Sequence, residues 1–234
     1  MKKMIVASTS TLHGQDTLEY LKEELSILFK NAKKILFIPY ARPNGISHKH
    51  YTNAVGVALL SIGKPVDGIH DFDNPTEAIQ KAEAIFVGGG NTFLLVKTLH
   101  DLNLLSVLRE KIEEGTPYLG TSAGSNICGV TMQTSNDMPI VYPPSFETLG
   151  ILPFNINPHY QDPDPNSTFM GETRETRIQE YLTQNDTTVI GLREGSWLDV
   201  EDENIILKGP YAARIFQKEK PPFELESGLL LNFN

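Results

Sequence analysis

Hydrophobic and polar positions along this chain fall into two alternating rhythms. Short apolar runs at Met4–Ala7, Ile35–Ile38 and Ala84–Val87 are closed by serine, proline or glycine, and Val66–Phe72 is a looser run of the same kind. Runs of that length bounded by breakers predict buried strands. Between them the spacing becomes helical. From about Asp16, leucines recur at 18, 21, 25 and 28, and Ser47–Ser61 predicts a helix stopped by Gly63 and Pro65. Asn74-Pro75-Thr76-Glu77 opens a short helix with an early proline, and Thr92–Glu114 predicts two helical stretches broken near Asp101–Asn103. Strand and helix thus alternate through the first half, which predicts a mainly parallel sheet covered on both faces.

The second half reads differently. Asp137–Pro165 is rich in proline and asparagine and predicts long ordered loops with short strands. Gly171–Leu182 predicts a helix and Thr187–Leu192 a buried strand. Ser196–Val200, Asn204–Leu207 and Arg214–Gln217 then predict an antiparallel meander. No linker-like composition separates the halves, so a single domain over residues 1–234 is expected.

Composition narrows the function classes. Hydrophobic residues make up 40% of the 234 and charged residues 21%, ordinary values for a soluble globular chain. No apolar run approaches a bilayer span, and the apolar N-terminal run breaks at Ser8-Thr9-Ser10, too short for a signal peptide. A single cysteine agrees with a reducing compartment. A cytoplasmic protein is the expectation. The formal charge of −9 argues against nucleic acid as a partner. It also requires any acidic ligand to find a local basic pocket.

Candidate chemistry centres on Gly120-Thr121-Ser122-Ala123-Gly124, entered by the run Pro117–Leu119. This G-x-S-x-G pattern marks a nucleophile elbow, a strand-to-helix turn that lifts one side chain above the sheet edge; a plain glycine- and serine-rich turn is the alternative. A serine nucleophile needs a base and a group to orient it. Of the six histidines, His48 and His50 would make at most a weak metal site and His100 ends a helix. His159, in Asn157-Pro158-His159-Tyr160, is the only one after Ser122. Its acid partner would be Asp137 or Glu147 if the order is serine, acid, histidine, or Glu194, just beyond the strand Thr187–Leu192. Gly88-Gly89-Gly90-Asn91 follows a strand but lacks the remaining features of a nucleotide loop. Its backbone would instead present an N–H to an oxyanion, paired with the amide of Ala123.

With these residues the chain resembles the peptidase E family of Ser-His-Glu α-aspartyl dipeptidases. The matching pieces run in order: Val87–Thr92, Thr121–Gly124, Asn136–Val141, Asn157–His159, Gly171–Arg174, and Val189–Leu192 followed by Glu194-Gly195. The resemblance implies a three-layer, flavodoxin-like α/β/α sandwich related to class I glutamine amidotransferases, mainly parallel with a small antiparallel C-terminal part. It implies Ser122 as nucleophile, His159 as base and Glu194 as orienting acid, with Asp137 as rival third member. It further implies Asn91 and Arg174 as contacts for the substrate's aspartyl side chain, and the amides of Gly90 and Ala123 as oxyanion donors. Thr121 and Arg193 depart from the family's usual residues, and Cys128 falls too far along to replace the serine.

Hydrolysis of Asp-X dipeptides through an acyl-enzyme, without metal or cofactor, is therefore expected. The expected partner is a small peptide with N-terminal aspartate, and a homodimer stays open. Rival expectations are cyanophycinase-like or β-aspartyl hydrolysis, an esterase built on Ser122, Asp137 and His159, and a non-catalytic domain that binds aspartyl peptides. An arginine suits the acidic side chain on physical grounds, because its planar fork matches a carboxylate. Arg177, one turn from Arg174, reads as a solvated helix surface. Loops around Asp162–Asn166 would wall off the pocket.

Overall fold

The computed structural model describes residues 1–43, 47–166, 168 and 170–231. The first half builds β1 (Lys3–Ala7), α1 (Lys22–Leu28), β2 (Ile35–Ile38), α2 (His48–Leu60), β3 (Val66–Gly68), α3 (Pro75–Gln80), β4 (Ile85–Val87), α4 (Thr92–Asp101), α5 (Leu105–Glu113), β5 (Tyr118–Thr121) and α6 (Ala123–Asn126). After a long irregular segment come β6 (Asn155–Pro158), α7 (Arg174–Gln184), β7 (Val189–Leu192), β8 (Trp197–Glu201), β9 (Asn204–Lys208), β10 (Ala213–Phe216) and β11 (Phe223–Leu225). Among the described residues no helix is long and apolar enough to cross a membrane.

Seven strands form one sheet in the order β3-β2-β4-β5-β1-β8-β9. The first five run parallel, and β8 and β9 add an antiparallel edge. Alternation along each strand divides its side chains between two cores, as the pleat requires. Ile5, Phe37, Phe86 and Leu119 pack with Leu21 and Leu25 and with Tyr51, Val55 and Leu59 of α2. Met4, Val6, Ile38, Val87 and Tyr118 pack on the other face with Leu95, Leu99, Leu108 and Ile112. Helix starts follow local chemistry: Ser47, Asn74 and Thr173 each accept an amide N–H from the first turn, a cap worth about 1 kcal/mol.

A second sheet, β11-β10-β7-β6, holds β6 and β7 parallel and β10 antiparallel to β7. One of its faces joins the larger core through Ile156, Ile190, Leu192 and Ile215. The other packs Val189 and Phe216 under Ile178 and Leu182 of α7.

Four expectations change. The run Val66–Phe72 is a strand only to Gly68, and Ile69–Asp71 is a 3-10 turn; the chain doubles back so that the His70 ring lies where a Gly68 side chain would be. Helix α7 starts at Arg174, capped by Thr173, rather than at Gly171. The C-terminal meander stops after β8 and β9, because β10 pairs with β7 and β11 instead. The segment Asn157–Tyr160, expected as a loop, begins inside a buried strand, β6 (Asn155–Pro158). Its asparagines look like loop residues, but the Asn155 carboxamide bonds Thr131 and Tyr181, and that of Asn157 bonds Thr134 and Asn136. Asn157 Oδ1 is left without a partner among the described residues, but the remaining polar atoms of the two carboxamides are satisfied, and such groups do not break a strand.

Close backbone approach sets the elbow. A methyl at Gly124 would overlap the Val87 carbonyl, whereas one at Gly56, inside α2, meets open space. Gly124→Ala is therefore expected to destabilise by about 1–3 kcal/mol, and Gly56→Ala to stabilise by up to about 1 kcal/mol. Urea unfolding midpoints moving in opposite directions are the check.

Candidate active site

Strand β5 ends at Thr121, and Ser122 follows with φ 53 and ψ −111, a backbone that L side chains rarely adopt. The Ser122 N–H donates to the Ala7 carbonyl at the tip of β1 (3.2 Å). The single helical turn α6 then starts at Ala123. A side chain at Gly120 would stand 2.5 Å from the Gly124 carbonyl, and one at Gly89 3.0 Å from Ser122 Cβ. Glycine at 120 and 124 thus lets strand and helix close up, and Gly89 lies directly against the serine.

Strand β6 ends at Pro158, and His159 follows, also left-handed at φ 54. Its Nε2 lies 2.9 Å from Ser122 Oγ, and its Nδ1 lies 2.5 Å from Glu194 Oε1. Glu194 comes two residues after β7, which pairs with β6 in the register Pro158↔Leu192. Hydroxyl, imidazole and carboxylate are therefore brought together in one hydrogen-bonded line, each just past the carboxyl end of a strand. Two left-handed non-glycine residues in contact mark stored strain, which persists only where surrounding structure holds it.

Asp137 goes elsewhere. Its Oδ2 accepts from the Thr92 amide (2.7 Å), the Thr92 hydroxyl (2.6 Å) and the Ser135 hydroxyl (3.0 Å), so the carboxylate sits on the first turn of α4, where the helix dipole favours it. The rival pairing of Asp137 with His159 is corrected accordingly: the His159 Nδ1 contact belongs to Glu194. Glu147 is likewise remote from that contact; its backbone carbonyl bonds the His100 ring at 3.1 Å.

Asn91 caps α4, accepting from the Leu94 amide (3.0 Å) and donating to the Met138 carbonyl (2.8 Å). One carboxamide hydrogen remains for a ligand. Among the described residues the amides of Gly90 and Ala123 donate to no backbone carbonyl, so both are available to an oxyanion.

Arg174 is the first residue of α7 and half-buried. Burial lowers its affinity for a proton, Arg177 lowers it further, and the charges of Asp137 and Glu194 act the other way. Among the described residues it has no ion-pair or hydrogen-bond partner. It lines a cavity of about 430 Å³ with Asn136, Gln161, Asp162, Pro163 and Thr173. Arg177 lines the same cavity but is exposed. Cys128 is fully buried just beyond α6, and burial pushes its thiol up to about 12.

Two residues escape the sequence reading as supports of this site. Ser8 is fully buried, and its only sequence signal is a hydroxyl placed directly after a buried strand. Arg193 reads as an oddity beside Glu194. In the fold it holds Asp162 (2.8 and 2.7 Å), Glu224 (2.8 and 3.0 Å) and the Ala212 carbonyl (2.6 Å), with its guanidinium over the Tyr160 ring. It thereby ties the loop after His159 to β11.

The Arg193 hydrogen bonds hold the carboxyls of Asp162 and Glu224 below their ordinary values. Both groups keep their charge more firmly when folded, so this stabilisation is complete above the usual carboxylate range and is lost as pH falls below it, through the lowered folded values. Arg193→Gln should lower the urea midpoint at pH 7, and the gap to wild type should narrow as pH falls from about 5 to about 3. Unfolding curves at both ends of that window test this.

Comparison with known proteins finds relatives over most of the chain. A family model described as peptidase family S51 matches residues 4–208. Peptidase E of Streptomyces coelicolor is 45% identical over 225 residues, covering 96% of this chain and 91% of its own. The probable alpha-aspartyl dipeptidase of Drosophila melanogaster is 43% identical over 227 residues, covering 96% and 93%. A peptidase from an acI-B1 actinobacterium shares the fold with a TM-score of 0.74 at 20% identity, covering 100% of this chain and 97% of that one.

Proposed function

The chain belongs to peptidase family S51 and is a peptidase; from that premise we propose that it cleaves the bond after an N-terminal aspartate in Asp-X dipeptides. The observation that carries the reading is the continuous line from Ser122 Oγ through the His159 ring to Glu194 Oε1. In the proposed reaction Ser122 Oγ attacks the scissile carbonyl carbon while His159 Nε2 takes the hydroxyl proton. Glu194 holds the ring in the tautomer that leaves Nε2 free to accept, then stabilises the imidazolium. The amides of Gly90 and Ala123 receive the negative charge that develops on the carbonyl oxygen. Collapse of the tetrahedral intermediate breaks the C–N bond, and His159 returns its proton to the leaving amine. Water, deprotonated by the same ring, then releases aspartate and restores Ser122.

Specificity rests on Arg174. A half-buried guanidinium with no ion-pair partner among the described residues, at the positive end of a helix and near a second arginine, is in an unfavourable place that the charges of Asp137 and Glu194 only partly offset. A substrate carboxylate relieves all three costs at once, whereas a neutral side chain relieves none. Asn91 supplies its spare amide hydrogen to the same side chain. Asp137 supports the site by fastening its own loop to α4, and the exposed segment around Asp162–Asn166 bounds the space to short peptides.

Aspartate release from Asp-Leu should fall at least about 10⁴-fold in Ser122→Ala and about 10²–10⁴-fold in Glu194→Gln. Asp137→Asn should keep most of kcat while losing about 1–2 kcal/mol of stability at the α4 cap. Loss of turnover in Asp137→Asn with retention in Glu194→Gln would reverse the assignment of the acid. Arg174→Met should shrink the preference for Asp-Leu over Asn-Leu by roughly 10–100-fold, the worth of one charged hydrogen bond. Parallel assays with β-Asp-Leu and cyanophycin fragments separate the α-aspartyl reading from its hydrolase rivals.

A further inference from the structure

The geometry points to Ser8 as a positioning residue for the reaction, a buried hydroxyl that holds the segments carrying base and acid in register with the nucleophile. The inference rests on the Ser122–His159–Glu194 reading above. The three side chains come from two sheets that share no ladder among the described residues. Ser122 follows a strand of the seven-stranded sheet, whereas His159 and Glu194 follow strands of the four-stranded one. Something must fix one sheet tip against the other to within a hydrogen-bond length.

Ser8 does so with a single oxygen. Its Oγ accepts the His159 N–H at 2.8 Å and donates its proton to the Leu192 carbonyl at 2.7 Å. Its own amide donates to the Ser196 carbonyl at 3.1 Å, two residues beyond Glu194. The residue before it, Ala7, accepts the Ser122 N–H (3.2 Å) and the Ser125 hydroxyl (2.6 Å). Residues 7 and 8 therefore touch all three functional segments through hydrogen bonds. Strand pairing does not duplicate this. The Leu192 carbonyl takes the Tyr160 amide two residues past β6, which leaves the His159 amide for Ser8. An alanine at 8 would leave that half-buried N–H without its partner at a residue already held left-handed.

The test measures kcat and KM for Asp-Leu and the rate at which a fluorophosphonate labels Ser122, in wild type, Ser8→Ala and Ser8→Cys. Thr148→Val removes another buried hydroxyl, one bonded to the Gly129 carbonyl away from the site, and serves as the stability control. Ser8→Ala should lower kcat and labelling together by about 10–100-fold, the scale of a misplaced catalytic group, while KM moves less than about threefold. Ser8→Cys keeps the shape but only a weak hydrogen-bonding group, so it stays folded and should fall in the same sense. Thr148→Val should lose comparable melting temperature without loss of kcat. In a Glu194→Gln background the Ser8→Ala cost should shrink, because the alignment it protects is already impaired. Full kcat in Ser8→Ala or Ser8→Cys, or an equal kcat loss in Thr148→Val, overturns the proposal while leaving the triad reading intact. Full activity in Ser122→Ala overturns both.

Discussion

The whole site hangs on a junction between two sheets at the tip of β1. A hydroxyl raised on one sheet and an imidazole and a carboxylate raised on another meet only if the relative position of the sheets is set to a fraction of an ångström. Apolar packing alone does not supply that precision. The shared core of Val87, Ile156, Leu192 and their neighbours brings the sheets together, but burial is non-directional. Hydrogen bonds are directional, and they cluster where direction is needed: from the Ser122 amide to Ala7, from the His159 amide to Ser8, from the Ser8 hydroxyl to Leu192, and from the Asn126 carboxamide to Ile156 (2.7 Å).

That junction explains where the backbone is strained. Ser122 and His159 both take positive φ, and both lie one residue past a strand that ends beside β1 or its partner sheet. In each case the left-handed turn ends the strand and brings the side chain toward its partner. The glycines at 120 and 124 serve the same end from the other side, since the carbonyls of Gly124 and Val87 occupy the space their side chains would need. Strain and close packing are two aspects of one requirement: a hydroxyl must stand clear of a sheet edge and still reach an imidazole.

Charge follows a similar logic. The chain carries a formal −9, and Arg193 and Arg214 are engaged by carboxylates around β10 and β11. Arg174 is left without such a partner at the first turn of α7. On a chain that is acidic overall, a half-buried guanidinium without an ion-pair partner among the described residues favours a negative group at that one point rather than by overall attraction. The surrounding ion network keeps the loop after His159 attached to the small sheet, so the cavity beside Arg174 has a defined wall.

Much of this was legible in the chain itself, because local patterns have local causes. Four-residue apolar runs closed by breakers are buried parallel strands, leucines at helical spacing are amphipathic faces, and glycines around a serine at a strand end form a tight elbow. Those rules place the parallel core, the elbow at Ser122 and the polar residues past β6 and β7. They fail where the cause is distant. Asn155 and Asn157 look like loop residues until Thr131, Thr134 and Asn136 satisfy them; β10 looks like a meander strand until β7 captures it. Asp137 and Glu194 are equivalent as sequence, two carboxylates near glycines and prolines, and only the α4 N-terminus drawing one away leaves the other beside His159. Ser8 carries no mark beyond its place after a buried strand, since the value of a buried hydroxyl lies in which two backbone groups, 151 and 184 residues away, the fold delivers to it. Periodicity encodes what a segment becomes; long-range hydrogen bonding decides which segments meet.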